Sequence, residues 1–422
     1  MGRLNLFQSM MLGWRDLHPY AAAHVVTIAH PLDRTLLAAV IAEVLEAAGL
    51  TGLTLDRRHG RYSFTGGPAR FALDAVPAGA DADAAVEAAI EARINTRFPD
   101  DGPVDPFLFF TVTTPDGFRL GVSYDHLYAG GDSIAVLLSW IVARYQAPAG
   151  AGPAAPRLAV DPPRYGRLFV AQLRALVAGL PQMPTLVRAA RRSARPRVAH
   201  PEDGHNGYLR VPIAAGQLSA VQAAGRVWEV STNDILLAAL LLAVAPMAPD
   251  RGGRRPDVAV ASIVNVRADY LPPPQRVFGQ FLSAFRVTHP VPPGATLREV
   301  AGDIAATTRR VKSGKLYLQS LLLMGLARPL LGAMSSGQRA RFFFKHHPAF
   351  GGITLLNVDA LWPGTPPYLR AASTGPLTLL VLAASIAGGE LSVGMTYRLA
   401  ELTPDAARAV GARFASVLGV LP

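Results

Sequence analysis

Between Phe118 and Val142 the chain reads as a β-strand, a glycine-bearing turn and an apolar helix in immediate succession, with one histidine, His126, at the corner. The turn pair Asp116-Gly117 introduces the strand, and the helix takes over near Ile134. A polar group at such a corner is held rigidly yet stays reachable from a cleft, so His126 is placed to work as a base. The rest of the chain alternates in the same way. Leu36, Leu37, Val40, Ile41, Val44 and Leu45 recur at helical spacing between a cap at Asp33 and a stop at Gly49. Strands are expected over 107–113 and 118–124, joined as a hairpin around Asp116-Gly117, and again over 208–212, 258–266 and 391–399. A buried helix is expected over 233–245, and a last helix capped by Thr403 with proline behind it. The alternation of helix and strand signals makes the chain α/β.

Composition narrows the chemistry. At 422 residues the chain exceeds the size at which one core stops growing, and half its residues are hydrophobic, enough for two cores. With no cysteine there is no disulfide, no thiolate metal site and no cysteine nucleophile. The start carries no long apolar stretch behind a basic end, and the longest apolar runs, 235–248 and 377–387, are shorter than the ~18–20 residues a spanning helix needs. A cytoplasmic protein with no transmembrane segment is expected. Proline and glycine crowd 146–156, an expected exposed connection. The net charge of +11 is carried mostly by arginine, with a cluster at 188–197, and the aromatic-interleaved patterns of nucleic-acid modules are absent. No nucleic-acid partner is expected, and a solvated basic face is the plainest reading of that cluster. His346 and His347 are adjacent, point apart and have no carboxylate at ligand spacing, so no metal site is expected.

The segment S-Y-D-H-L-Y-A-G-G-D-S (123–133) resembles the His-His-x-x-x-Asp-Gly signature, followed by x-Ser, of the condensation-domain and CoA-dependent acyltransferase superfamily. Asp125 stands at the first histidine, His126 at the second, Gly130 at the aspartate, Gly131 at the glycine and Ser133 at the serine. Further stretches resemble that family in order along the chain: 31–45, 98–107, 231–240, Val264-Asn-Val-Arg267, Phe278-Gly-Gln-Phe-Leu-Ser283, Leu356-Asn-Val358 and Gly388-Gly-Glu-Leu391. The resemblance implies an α/β fold of two chloramphenicol-acetyltransferase-like subdomains, each a mixed β-sheet flanked by helices, at 1–192 and 207–422, joined by a linker at 193–206, with the active-site cleft and tunnel between them.

It also implies attack of an alcohol or amine on a CoA or carrier-protein thioester, with His126 as general base and no bound cofactor. The phosphopantetheine or CoA thioester would be a co-substrate. Gly130, Gly131, Ser133, Ser283 and Asn357 are the expected substrate or oxyanion contacts. In the family pattern the aspartate pairs with an arginine across the site, and Arg267 is the candidate. With glycine at 130, the mate of Arg267 becomes Asp132, Asp125 or an anionic substrate. Loss of that aspartate also leaves a second function open: a diverged condensation-like protein that recruits, epimerises or cyclises a carrier-bound substrate. The basic balance suits an acidic acyl or peptidyl carrier protein as partner beside a small-molecule acceptor, with a peripheral membrane surface as runner-up through 321–331.

Overall fold

A computed structural model describes residues 2–147, 155–160, 164–248, 253–270 and 277–421. Of the expected connection over 146–156, residues 148–154 lie outside the described residues. The first half is built on a five-stranded mixed sheet. Gly117–Asp125 lies between Ala21–Ile28 and Phe107–Thr114, antiparallel to both, and Ala72–Val76 adds in parallel to Phe107–Thr114. The hairpin turns at Asp116-Gly117, where Thr114 faces Gly117. Phe107, Phe109, Phe118, Leu120 and Val122 bury one face of this sheet under two helices. One is Arg34–Ala48, capped by the Asp33 carboxylate on the Leu36 N–H and ended by Gly49 in the left-handed conformation. The other is Gly131–Gln146, which contributes Ile134, Leu137, Leu138, Ile141 and Val142. Burying each such side chain stabilises by about 1.5–3 kcal/mol, so this helix is fixed by its apolar face and can carry polar chemistry at its start.

The second half holds a six-stranded mixed sheet. Its order is Leu282–His289, Val258–Asn265, Gly351–Asn357, Leu380–Ala387, Glu390–Arg398 and Asn206–Arg210. The two inner pairings of Gly351–Asn357 are parallel and the others antiparallel. Thr232–Val244 is buried almost all round, as a helix of mean apolar character must be, and its Ser231 and Asp234 form a capping box.

The halves are not independent layers. Tyr368–Ala372, from the second half of the chain, crosses over and joins the first sheet against Ala21–Ile28, with Arg370 opposite His24. The segment expected as a linker, 193–206, is fastened down: the buried guanidinium of Arg398 donates to the carbonyls of His200, Pro201 and Asp203. Its start is held by paired backbone at Ser193 and Asp257, and its end, Asn206, already belongs to a strand.

Candidate active site

The turn that carries His126 is tied at both ends. The Asp125 side chain accepts the Leu127 N–H at 3.0 Å, the Tyr128 N–H bonds back to the Asp125 carbonyl, and the Gly130 N–H reaches the Gly279 carbonyl of the second half. Asp125 is fully buried and pairs with Arg15 at 2.8 Å. Arg15 also holds the Phe98 and Pro99 carbonyls, so the position of the motif's first histidine has become an anchor for the turn. Burial pushes the Asp125 carboxyl up to about 6 even with Arg15 beside it. The expectation that Asp125 could serve Arg267 is therefore corrected: its carboxylate is spent on Arg15.

His126 keeps a partly exposed edge between two aromatic rings. Tyr20 lies stacked on it at 5.8 Å and Tyr124 stands edge-on at 5.7 Å. Its Nδ1 lies 3.0 Å from the Ala129 carbonyl, an oxygen that only accepts, so Nδ1 carries the hydrogen and Nε2 keeps its lone pair. Gln280 braces the same turn from the second half, donating to the His126 carbonyl at 2.7 Å. Packing round the ring lowers the His126 pKa to about 4, with the hydrogen bond to Ala129 opposing and the Arg370 charge assisting. A neutral imidazole with a free Nε2 is the form a general base requires.

Arg267 has its mate. Its guanidinium meets Asp132 at 3.1 Å, lies over the Phe281 ring at 4.0 Å and donates to the Val277 carbonyl. Asn265 adds a bond to the same Asp132 oxygen at 2.9 Å. Glycine at 130 follows from this arrangement. A Cβ on Gly130 would stand 2.8 Å from the Asp132 carboxylate and 3.1 Å from Gln280 Oε1, so the space of the motif's aspartate is occupied by a carboxylate arriving from two residues later. Asp132 also sits in the first turn of its helix, where the macrodipole favours a negative charge.

The other expected site residues divide. Gly131 opens the motif helix, and a Cβ there would lie 3.3 Å from Arg370 Nη2 and 3.4 Å from His24 Cε1, so a side chain at this position would press those two groups back by a few tenths of an ångström. Ser133 is buried and bonds to Gly279 and Arg267, which makes it a fastener between halves rather than a substrate contact. Ser283 is corrected in the same sense: it is fully buried and its hydroxyl donates to the Tyr317 carbonyl. Asn357 is exposed and caps the turn after its strand through the Ala360 N–H.

Sequence reading missed the group behind the turn. His24 is buried with Nδ1 2.7 Å from the Tyr368 hydroxyl and Nε2 3.3 Å from that of Tyr124, and burial holds its pKa well below the usual value. Arg370 lies alongside. His24 flanks the strand-like run Val25-Val-Thr-Ile28, whereas its partners on a crossover strand some 340 residues away carry no local signal. A separate cavity of about 420 Å³, walled by Asp83, Glu87, Arg119 and Arg210 among others, does not include His126. Among the described residues no three histidine or carboxylate side chains converge as a metal site would need.

Two mixed sheets, a crossover strand and a histidine turn at their seam define the condensation-domain fold. Along its whole length the chain is similar to the first condensation domain of the calcium-dependent antibiotic synthetase in complex with a substrate analogue, at TM-score 0.71 and 16% identity over 96% of that chain. It is similar also to the epimerization domain from the third module of tyrocidine synthetase B, at TM-score 0.66 and 16% identity over 96% of that chain. The X-domain from teicoplanin biosynthesis gives TM-score 0.61 and 16% identity, covering 99% of this chain and 94% of that one. By sequence the chain matches no family profile and no curated protein.

Proposed function

We propose that the protein is an acyltransferase or stand-alone condensation enzyme that moves an acyl group from a CoA or carrier-protein thioester to an amine or alcohol. The observation that carries this is His126: neutral, with Nδ1 committed to Ala129 and, among the described residues, no hydrogen-bond partner on Nε2, at the seam between the halves. The acceptor N–H or O–H gives its proton to Nε2 as its lone pair attacks the thioester carbon. The tetrahedral adduct then collapses, the C–S bond breaks, and the imidazolium returns the proton to the departing thiolate. No covalent enzyme intermediate is required, in keeping with a chain that has no cysteine. The Arg267–Asp132 pair weakens the case for the diverged, non-transferring reading, because the architecture lost with the motif aspartate is rebuilt by Asp132.

The surface supports a negatively charged partner, and we read it as the carrier protein. Stretch 164–197 has eight arginines and no carboxylate, and 304–347 has eight lysines or arginines and no carboxylate. The two lie together: Lys315 bonds to Gln172 and Gln319 to the Leu176 carbonyl. Exposed Leu173, Val177 and Leu180 supply an apolar component at helical spacing. Incubating the protein with acyl-CoA and acyl-carrier thioesters and a panel of amines and alcohols, read by mass spectrometry, tests the function. New esters or amides are expected; hydrolysis alone or epimerised thioester would overturn it.

A further inference from the structure

Arg370 is 6% exposed, and among the described residues its guanidinium meets no carboxylate. It leaves the crossover strand into the seam between the sheets, where Nη1 donates to the Ala384 carbonyl at 3.2 Å and Nη2 to Thr354 Oγ1 at 3.4 Å. Nε is buried without a partner, and among the described residues no acid lies within ion-pair distance. The nearest acidic influence is Asp132, which already pairs with Arg267. Arg267 thus takes that carboxylate, and Arg370 stands without one beside the positive end of the 16-residue helix Gly131–Gln146. The glycine at that helix's first position lets Nη2 come within 3.3 Å of where its Cβ would be. A buried cation in this state is destabilising until an anion reaches it.

We propose that Arg370 and the start of this helix bind a carboxylate carried by the substrate, so that the protein selects an acyl donor or acceptor bearing an acid group. Only the statement of whose carboxylate it is rests on the acyl-transfer reading; the anion site rests on Arg370 alone. Guanidinium and carboxylate match in bidentate fashion, and with the Gly130 and Ser133 N–H groups engaged by Gly279 and Asp132, the Gly131 and Asp132 amides of the helix start complete the cradle. The competing demand for the guanidinium, Tyr124 and Tyr368, is neutral, since burial raises both phenols.

The test uses butyrate as probe and butyramide as its neutral isostere, at ionic strength held constant with chloride, reading the melting temperature. Butyrate is expected to raise the wild-type value by several degrees and butyramide to leave it unchanged. Arg370→Met should abolish the response with an unliganded melting temperature equal to or above wild type, because an unpaired buried charge is gone. Arg370→Lys should keep a weakened response should the Met variant fold poorly. His126→Ala should respond as wild type, which separates this site from the transfer chemistry, and so should Arg174→Gln on the cationic surface. No butyrate-specific shift in the wild type, or a shift that survives in Arg370→Met, would overturn the proposal.

Discussion

His126 owes its reactivity to what surrounds it. With its pKa near 4, the imidazole stays neutral through the physiological range, so turnover should be flat from about pH 8 to 5 and fall as pH drops through 4. A pH–rate profile with its acid limb near 6.5 instead would mean that the ring is solvated during the reaction. The same burial has a cost in stability. His18, with pKa about 3, His24 and His126 all lie below 6.5, so between those values and 6.5 the unfolded chain takes up protons that the folded protein refuses. Their contribution is full above pH 6.5 and declines as pH falls, by about 1.4 kcal/mol per histidine per pH unit. Asp125, raised to about 6, acts oppositely between pH 6 and 4 and offsets part of one histidine's share. Urea unfolding at pH 7.5 and 5 should show a loss of several kcal/mol, and equal values would remove the buried neutral histidines from the account. At this scale His126 was legible because a strand, a turn and a helix bracket it in the sequence. His24 and Arg370 were not, because only a distant strand pairing brings them together.

Among elements, the strand-to-helix turn and the strand bearing Arg267 form one bolted joint. Arg267→Ala should lower stability by about 2–3 kcal/mol, since it leaves the largely buried Asp132 with no cation, only the Asn265 amide and the Ser133 N–H. Gly130→Asp should destabilise by crowding a second carboxylate against the first, 2.8 Å from the position of its Cβ. The double change Gly130→Asp with Asp132→Gly restores the family's spacing and should recover most of the loss, as measured by melting temperature. A double variant no better than Gly130→Asp would show that the two positions do not exchange roles. The strand and helix ends were readable to within a residue or two where a cap or turn pair marked them, as at Asp33, Gly49 and Gly117. The pairing of Arg267 was readable only as three alternatives, because Asp132 and Asp125 both flank Gly130 in sequence and it is the direction of the turn that separates them.

At the level of the whole molecule, two sheets tied by one crossover strand place the histidine turn, Gln280 and Arg370 at a single seam, drawn from three parts of the chain. The α/β class was legible from the alternation of elements and the two halves from the family resemblance; the crossover was not, since Tyr368–Ala372 is a short strand with nothing local to name its partner. Reversing the exposed charges with Arg174→Glu, Arg188→Glu and Arg191→Glu should weaken binding of an acidic carrier protein by about 1 kcal/mol or more per contact and steepen nothing else, as titration calorimetry at low and high salt would show. Binding to anionic vesicles with none to the carrier would assign that face to a membrane. The most direct measurement is turnover of His126→Ala on a thioester and acceptor that the wild type joins, with circular dichroism to confirm the fold. A loss of about a hundredfold or more at unchanged melting behaviour is expected; near wild-type turnover in the folded variant would contradict the account.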